Sequence, residues 1–144
     1  MAVFVRPFKA SDLDAFVPID PMTKDEIKDP ELAAAIEKSG LSVTGVRNGK
    51  IVGCGGVHPI NEEHGEMWLR LSKDCLNHRL DTLRWLKDGL KIIEEVYPFR
   101  QLNAVIRCSF EKSIKLVEHL GFKPIQTMRR NGEDYFVYAK LVRD

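Results

Sequence analysis

A chain of 144 residues with a formal net charge of +1 has the length of one domain, residues 1–144, able to bury roughly 70% of its unfolded surface around a single core. Its 44% hydrophobic and 30% charged residues describe an ordinary soluble protein, and the lack of a basic excess argues against nucleic acid as a partner. Three widely spaced cysteines, Cys54, Cys75 and Cys108, with no C-x-x-C pair, suggest neither a disulfide framework nor a metal knuckle; with no long apolar leader and no apolar run of ~18 residues, a cytoplasmic protein that avoids membranes is expected.

In chain order, Ala2 to Arg6 is a short β-rich run stopped at Pro7, and Ser11 stands as the N-cap of a helix through Leu13 and Phe16. From Pro18 to Pro30 the chain is a loop rich in proline and charge. Pro30 then opens the helix PELAAAIEKS, with Gly40 just past its end. LSVTGVR and KIVGCGGVHPI flank Asn48-Gly49, which supplies both positive-φ positions of a type I′ turn and so marks a hairpin. After the polar break NEEHGE, MWLRLS is the third strand of this meander.

MWLRLS runs into the helix of "LSKDCLNHRLDTLRWL", residues 71–86. A strand-to-helix turn aims unpaired backbone N–H groups at one point and can bind an anion, yet this one has no glycine. The helix places Leu80, Leu83, Leu86, Leu90 and Ile93 at spacings of three and four, a face expected to pack on the sheet. LNAVIRC is the next strand. SFEKSIKLVEHLGF is a helix carrying Ile114, Val117 and Leu120, with Ser109 as its N-cap and Gly121 as its end. IQTMRR, the turn Asn131-Gly132 and DYFVYAKLV make a second hairpin.

This order predicts an α/β (α+β) domain: a central mixed, mostly antiparallel sheet of six to seven strands flanked by about four helices. MWLRLS, its helix and LNAVIR form a βαβ unit whose strands are parallel neighbours with a right-handed crossover. Ligands of open α/β sheets sit at the carboxyl ends of such strands.

The entry-strand-and-two-helix start, the phrase NGKIVGCGGVHPI and above all SIKLVEHLGFKPI, similar to A-x-x-L-Y-x-x-x-G-F, resemble the GNAT superfamily of acyl-CoA-dependent N-acetyltransferases over nearly the whole chain. The resemblance implies a splayed pair of parallel strands, with MWLRLS offering backbone groups at Leu69, Leu71 and Ser72 to the pantetheine arm of acetyl-CoA. Asn77, His78, Arg79, Leu80, Asp81 and Thr82 stand where the family reads R/Q-x-x-G-x-G/A and wraps the CoA pyrophosphate; both glycines are missing. A Cβ where pyrophosphate must approach closely, or where positive φ is needed, destabilises by about 1 kcal/mol or more, and Asp81 in the first turn satisfies the helix dipole and repels phosphate. A capped helix start without an anion is the competing reading.

Other positions depart from the family as well. The tyrosine that serves many members as general acid aligns with Val117, which has no proton to give, and the asparagine opening that helix aligns with Phe110, beside Ser109. Glu66 best matches the family's general base. His58, placed directly after the third strand, is a second candidate, and both are alternatively solvated loop residues. Tyr138 and Tyr135 lie three apart on the last strand, so one of them faces the acceptor side; Tyr138 is the candidate acid, with core packing as the alternative. Cys108, Trp68 and Trp85 read as core residues.

The phrases EMWLRLS, VYPFRQLNAVIR and SIKLVEHLGF with the glycine-free loop also resemble small GNAT-like proteins of phages and prophages. Two functions follow from these resemblances. One is an N-acetyltransferase (EC 2.3.1.-) moving acetyl from acetyl-CoA to a primary amine of a small molecule or protein by direct attack. The other is a phage-related interaction or virion protein that keeps the fold without catalysis. The last hairpin leaves an edge on which a second copy could pair as a homodimer. No metal site is expected.

Overall fold

The computed structural model of the chain describes residues 3–19 and 30–143. Residues 20–29, which hold most of the expected Pro18–Pro30 loop, and Ala2 of the first expected strand lie outside the described residues. Among the described residues there are strands β1 (Phe4–Pro7), β2 (Ser42–Arg47), β3 (Lys50–Pro59), β4 (His64–Leu71), β5 (Gln101–Arg107), β6 (Lys123–Arg130) and β7 (Glu133–Leu141). Helices α1 (Pro30–Ser39), α2 (Arg79–Val96) and α3 (Glu111–His119) and the 3₁₀ turns Ala10–Asp14 and Lys73–Asn77 complete the order. The strands lie in one sheet, β1-β2-β3-β4-β5-β7-β6. β4 and β5 are parallel, whereas β1–β2, β2–β3, β5–β7 and β6–β7 are antiparallel, the mixed and mostly antiparallel arrangement that the sequence predicts.

Both Asn-Gly hairpins form as expected. Asn48 and Gly49 have φ of 52° and 77°, and Asn131 and Gly132 have 53° and 80°, the left-handed pair that matches the twist of the flanking strands.

The chain packs as two compact units. The first comprises Met1–Val57 and Trp68–Trp85. Its core joins Phe8, Leu13, Ala33, Ile36 and Cys54, with Phe16 and Trp68 packed against them. Phe8 and Trp68 meet edge to face at 5.1 Å between ring centroids, a geometry that contributes roughly 1 kcal/mol beyond burial. The Trp68 indole N–H donates to Ser42 Oγ at 3.0 Å, so the half-buried ring packs on the core without leaving its polar end unpaired. The helix expected from Ser11 is only a 3₁₀ turn, and its N-cap is Lys9, not the exposed Ser11. The reason is Asp12. Its carboxylate accepts from the Lys9 N–H at 2.9 Å, from Arg6 at 2.8 and 2.9 Å and from Thr44 Oγ1 at 2.7 Å, which ties the turn to β1 and β2 before a longer helix can develop.

The second unit comprises His58–Met67 and Leu86–Asp144. Leu102, Ala104 and Ile106 alternate into its core from β5, joined by Val117, Leu120 and Phe122 and by Tyr135, Val137 and Tyr138 of β7. α3 ends as predicted at Gly121, whose φ is 97°; the Phe122 N–H returns to the Val117 carbonyl at 3.0 Å. Its start differs. The N-cap is Phe110, whose carbonyl accepts from the Ile114 N–H at 3.0 Å, and no side chain caps the helix; Ser109 is exposed one residue too early to serve.

α2 corrects a second expectation. Leu86 and Leu90 are buried, but Leu80 is 82% exposed. The helix begins at Arg79 and buries Thr82, Leu86 and Leu90, and Leu80 lies about 200° around the axis from Thr82, on the opposite face.

Candidate functional site

The junction between β4 and α2 lies within the first unit and is longer than the sequence suggests. Ser72 accepts the Asp74 N–H on its hydroxyl at 3.2 Å and caps the 3₁₀ turn Lys73–Asn77. The Cys75 N–H then bonds the Ser72 carbonyl at 3.0 Å, and the His78 N–H bonds the Cys75 carbonyl at 3.1 Å. None of residues 72–82 has positive φ. The chain therefore needs no glycine here, and the conformational objection to a glycine-free loop falls away. The Thr82 N–H makes the first bond of α2, to the His78 carbonyl at 2.9 Å. The N–H groups of Arg79, Leu80 and Asp81 precede that bond and have no intrahelical acceptor, the arrangement that suits an anion. Asn77, His78, Arg79 and Leu80 are exposed around them.

Asp81 is not an unopposed charge. Arg47, at the end of β2, donates Nη2 to its carboxylate at 2.8 Å, with side-chain exposures of 7% for Arg47 and 31% for Asp81. Two like charges ~6 Å apart repel by about 3 kcal/mol at an effective dielectric of ~20, and the expected repulsion between Asp81 and a bound phosphate is opposed by an attraction of similar size. Arg47 is the residue that sequence reasoning misses. Only its place before Asn48-Gly49 was visible, and nothing local links it to a partner 34 positions away.

The edge of β4 is partly occupied. The Ser72 N–H bonds the Val52 carbonyl at 2.8 Å, while the Leu71 carbonyl accepts from the Ile19 N–H and the Lys73 N–H donates to the Val17 carbonyl, both at 2.9 Å. Ser72 is buried with both its N–H and its hydroxyl engaged in the fold. The Leu69 carbonyl accepts from the guanidinium of Arg70 at 2.7 Å. Of the three expected contacts to the arm, Ser72 has its N–H taken up by Val52, and Leu71 lies on the stretch bonded to residues 17–19. Burial holds the Cys75 thiol above its ordinary pKa, and its Sγ–H donates to the Val52 carbonyl at 3.3 Å, a structural role.

The remaining candidates belong to the second unit. Glu66, half-buried, is the last residue of β4 in register with β5, opposite Asn103; it therefore stands where the parallel pairing stops. His58 is exposed and lies inside β3, which continues to Pro59, not after the strand as expected. Tyr138 is 3% exposed and donates its hydroxyl to Glu118 Oε2 at 3.2 Å. Burial first, and then the Glu118 charge and hydrogen bond, hold the phenol above its ordinary pKa. Val117 is buried next to Glu118. Phe110 lies under the guanidinium of Arg107, 5.3 Å from its ring centroid, and Arg107 also pairs with Glu133 at 2.6 Å. Among the described residues no three His, Cys, Asp or Glu side chains converge on a metal position.

By sequence the chain matches no protein-family model and no curated protein. By structure it is similar to Ard1 from Thermoplasma volcanium, with a TM-score of 0.80 at 11% identity over 100% of both chains. It is also similar to an acetyltransferase of the GNAT family from Bacillus anthracis, with a TM-score of 0.71 at 14% identity over 99% of this chain and 96% of that one. A third similar structure is a NatC complex bound to Gag peptide and CoA, with a TM-score of 0.75 at 13% identity over 98% of this chain and 99% of that one. The chain has the GNAT fold.

Proposed function

We propose that this chain is an acyl-CoA N-acyltransferase that moves acetyl from acetyl-CoA to a primary amine on a small molecule or protein, by direct attack. The observation that carries the reading is the start of α2, where the N–H groups of Arg79, Leu80 and Asp81 precede the first helical bond and the Asp81 carboxylate is already paired with Arg47. The similar NatC structure holds CoA together with a peptide, which supports the same use of the fold here.

Acetyl-CoA brings the activated thioester. In this reading the α2 N-terminus holds its pyrophosphate, His78 and Arg79 add donors from exposed positions, and the N–H groups of Leu69 and Leu71 hold the arm. Ser109 and Phe110, at the start of α3 in the second unit, are the further residues assigned to the cofactor. Glu66 accepts the amine proton, directly or through water, with His58 as the alternative base. Tyr138 is the candidate acid; burial and Glu118 keep its proton in place, and Glu118 accepts that proton as a hydrogen bond. A cytoplasmic setting fits an acetyl-CoA user, and no helix of the described residues is long and apolar enough to cross a membrane. β6 is an outer strand with all residues but Met128 exposed, an edge on which a second copy would pair to give a homodimer.

One observation favours a second reading. Val117 is buried and apolar where the family's general acid aligns, as expected of a phage-related GNAT-fold protein that binds partners without transferring acyl groups. Isothermal titration with acetyl-CoA and with its dephospho and desulfo analogues separates the two. Micromolar affinity that depends on the pyrophosphate supports the enzyme, and Glu66→Gln should then lower kcat/KM about 100-fold in an acceptor screen. No binding at millimolar acetyl-CoA supports the second reading.

A further inference from the structure

Arg47 is buried, and its guanidinium is directed at the third residue of α2. Nη2 donates to Asp81, while the equally buried Nε has no hydrogen-bond partner among the described residues. A buried guanidinium with an unmade hydrogen bond is unfavourable, and an apolar side chain of similar length would serve packing at least as well. Fold stability therefore does not account for an arginine here. Its effect on α2 does, because Asp81 is the acidic residue of the helix's first turn and Arg47 cancels its charge.

We propose that Arg47 is a positioning residue for anion binding: by pairing with Asp81 from β2, it leaves the positive end of α2 free to receive a pyrophosphate group without a glycine-rich loop. This rests on the reading of the α2 N-terminus as the acyl-CoA site. It explains how Asp81, which in isolation repels phosphate, coexists with that site. It also sets the ionic pairing of this position apart from the backbone contacts of residues 79–81.

The test is isothermal titration of the full chain with inorganic pyrophosphate, with acetyl-CoA and with uncharged pantetheine, with a thermal melt of every variant. Arg47→Met should weaken pyrophosphate and acetyl-CoA about tenfold and leave pantetheine unchanged. Asp81→Asn, which frees the arginine for the ligand, should bind pyrophosphate about threefold more tightly, with a steeper dependence on salt. The double variant should bind pyrophosphate as tightly as the wild type, whereas independent effects would leave it about threefold weaker; that difference is the coupling expected of a directly paired couple. Should Arg47→Met fail to fold, Arg47→Lys is expected to retain binding, and Asp81→Asn still decides. Weaker pyrophosphate binding by Asp81→Asn, or wild-type affinity in folded Arg47→Met, overturns the proposal. A wild-type chain that binds pyrophosphate in an Arg47-dependent way but ignores acetyl-CoA upholds the role of Arg47 and overturns the transferase reading; one that binds neither overturns both.

Discussion

Asp12 shows how a charge is kept inside the first unit. Burial opposes its ionisation, yet hydrogen bonds from Arg6, Thr44 and the Lys9 N–H outweigh it and hold the carboxyl below its ordinary pKa. A carboxyl lowered on folding contributes stability that is fully present above its unfolded value, near pH 3.9, and lost as pH falls through the folded value. Asp12→Ala should therefore lower the melting temperature at pH 7 by roughly 6 °C, for a loss of about 2 kcal/mol, and the difference from wild type should shrink below pH 4 in melts taken across the acid range. Cys54, 0% exposed beside Thr44, has its thiol raised to about 11, chiefly by burial. It acts as a small core residue. Charged partners such as Arg6 with Asp12, or Arg47 with Asp81, were not legible in the sequence, because each side chain reads locally as one more solvated polar residue.

Among the elements, α2 meets arginines from distant strands or tails at both ends. At its N-terminus Arg47 pairs with Asp81. Near its C-terminus Arg143 donates to the carbonyls of Tyr97 at 2.9 Å and Phe99 at 2.8 Å, and also to that of Glu94, supplying donors where a helix runs out of its own. Arg143→Ala leaves three carbonyls short of a donor and should destabilise by about 2 kcal/mol, seen as a lower urea midpoint with an unchanged slope. The hairpins at Asn48-Gly49 and Asn131-Gly132 and the end of α3 at Gly121 were readable in the sequence, because positive φ narrows the choice of residue within two positions. The 3₁₀ turn Lys73–Asn77 was not, because Ser72 is an equally good N-cap for a full helix and the hydrogen bonds that hold the β4 end come from Val17, Ile19 and Val52.

At the scale of the whole molecule, a net charge of +1 gives no long-range attraction for a polyanionic ligand, which would have to be held by local donors alone. If the α2 start holds acetyl-CoA, the ligand at a hundred times its Kd should raise the stability of the folded chain by about 2.7 kcal/mol, a shift of roughly 8 °C that desulfo-CoA should reproduce and pantetheine should not; an unchanged melting temperature speaks for a chain that no longer binds the cofactor. The sequence by itself determined the order of strands and helices, both hairpins and the strand-loop-helix unit with its parallel pair, because hydrophobic period, caps and turn residues are local properties of the chain. Only the tertiary structure decided that Leu80 faces solvent, that Ser72 is engaged by its neighbours, that Tyr138 is tied to Glu118 and that Asp81 is neutralised from β2. These depend on which side chains distant segments bring together, and a pairing across 34 residues leaves no periodic signature from which it could be read.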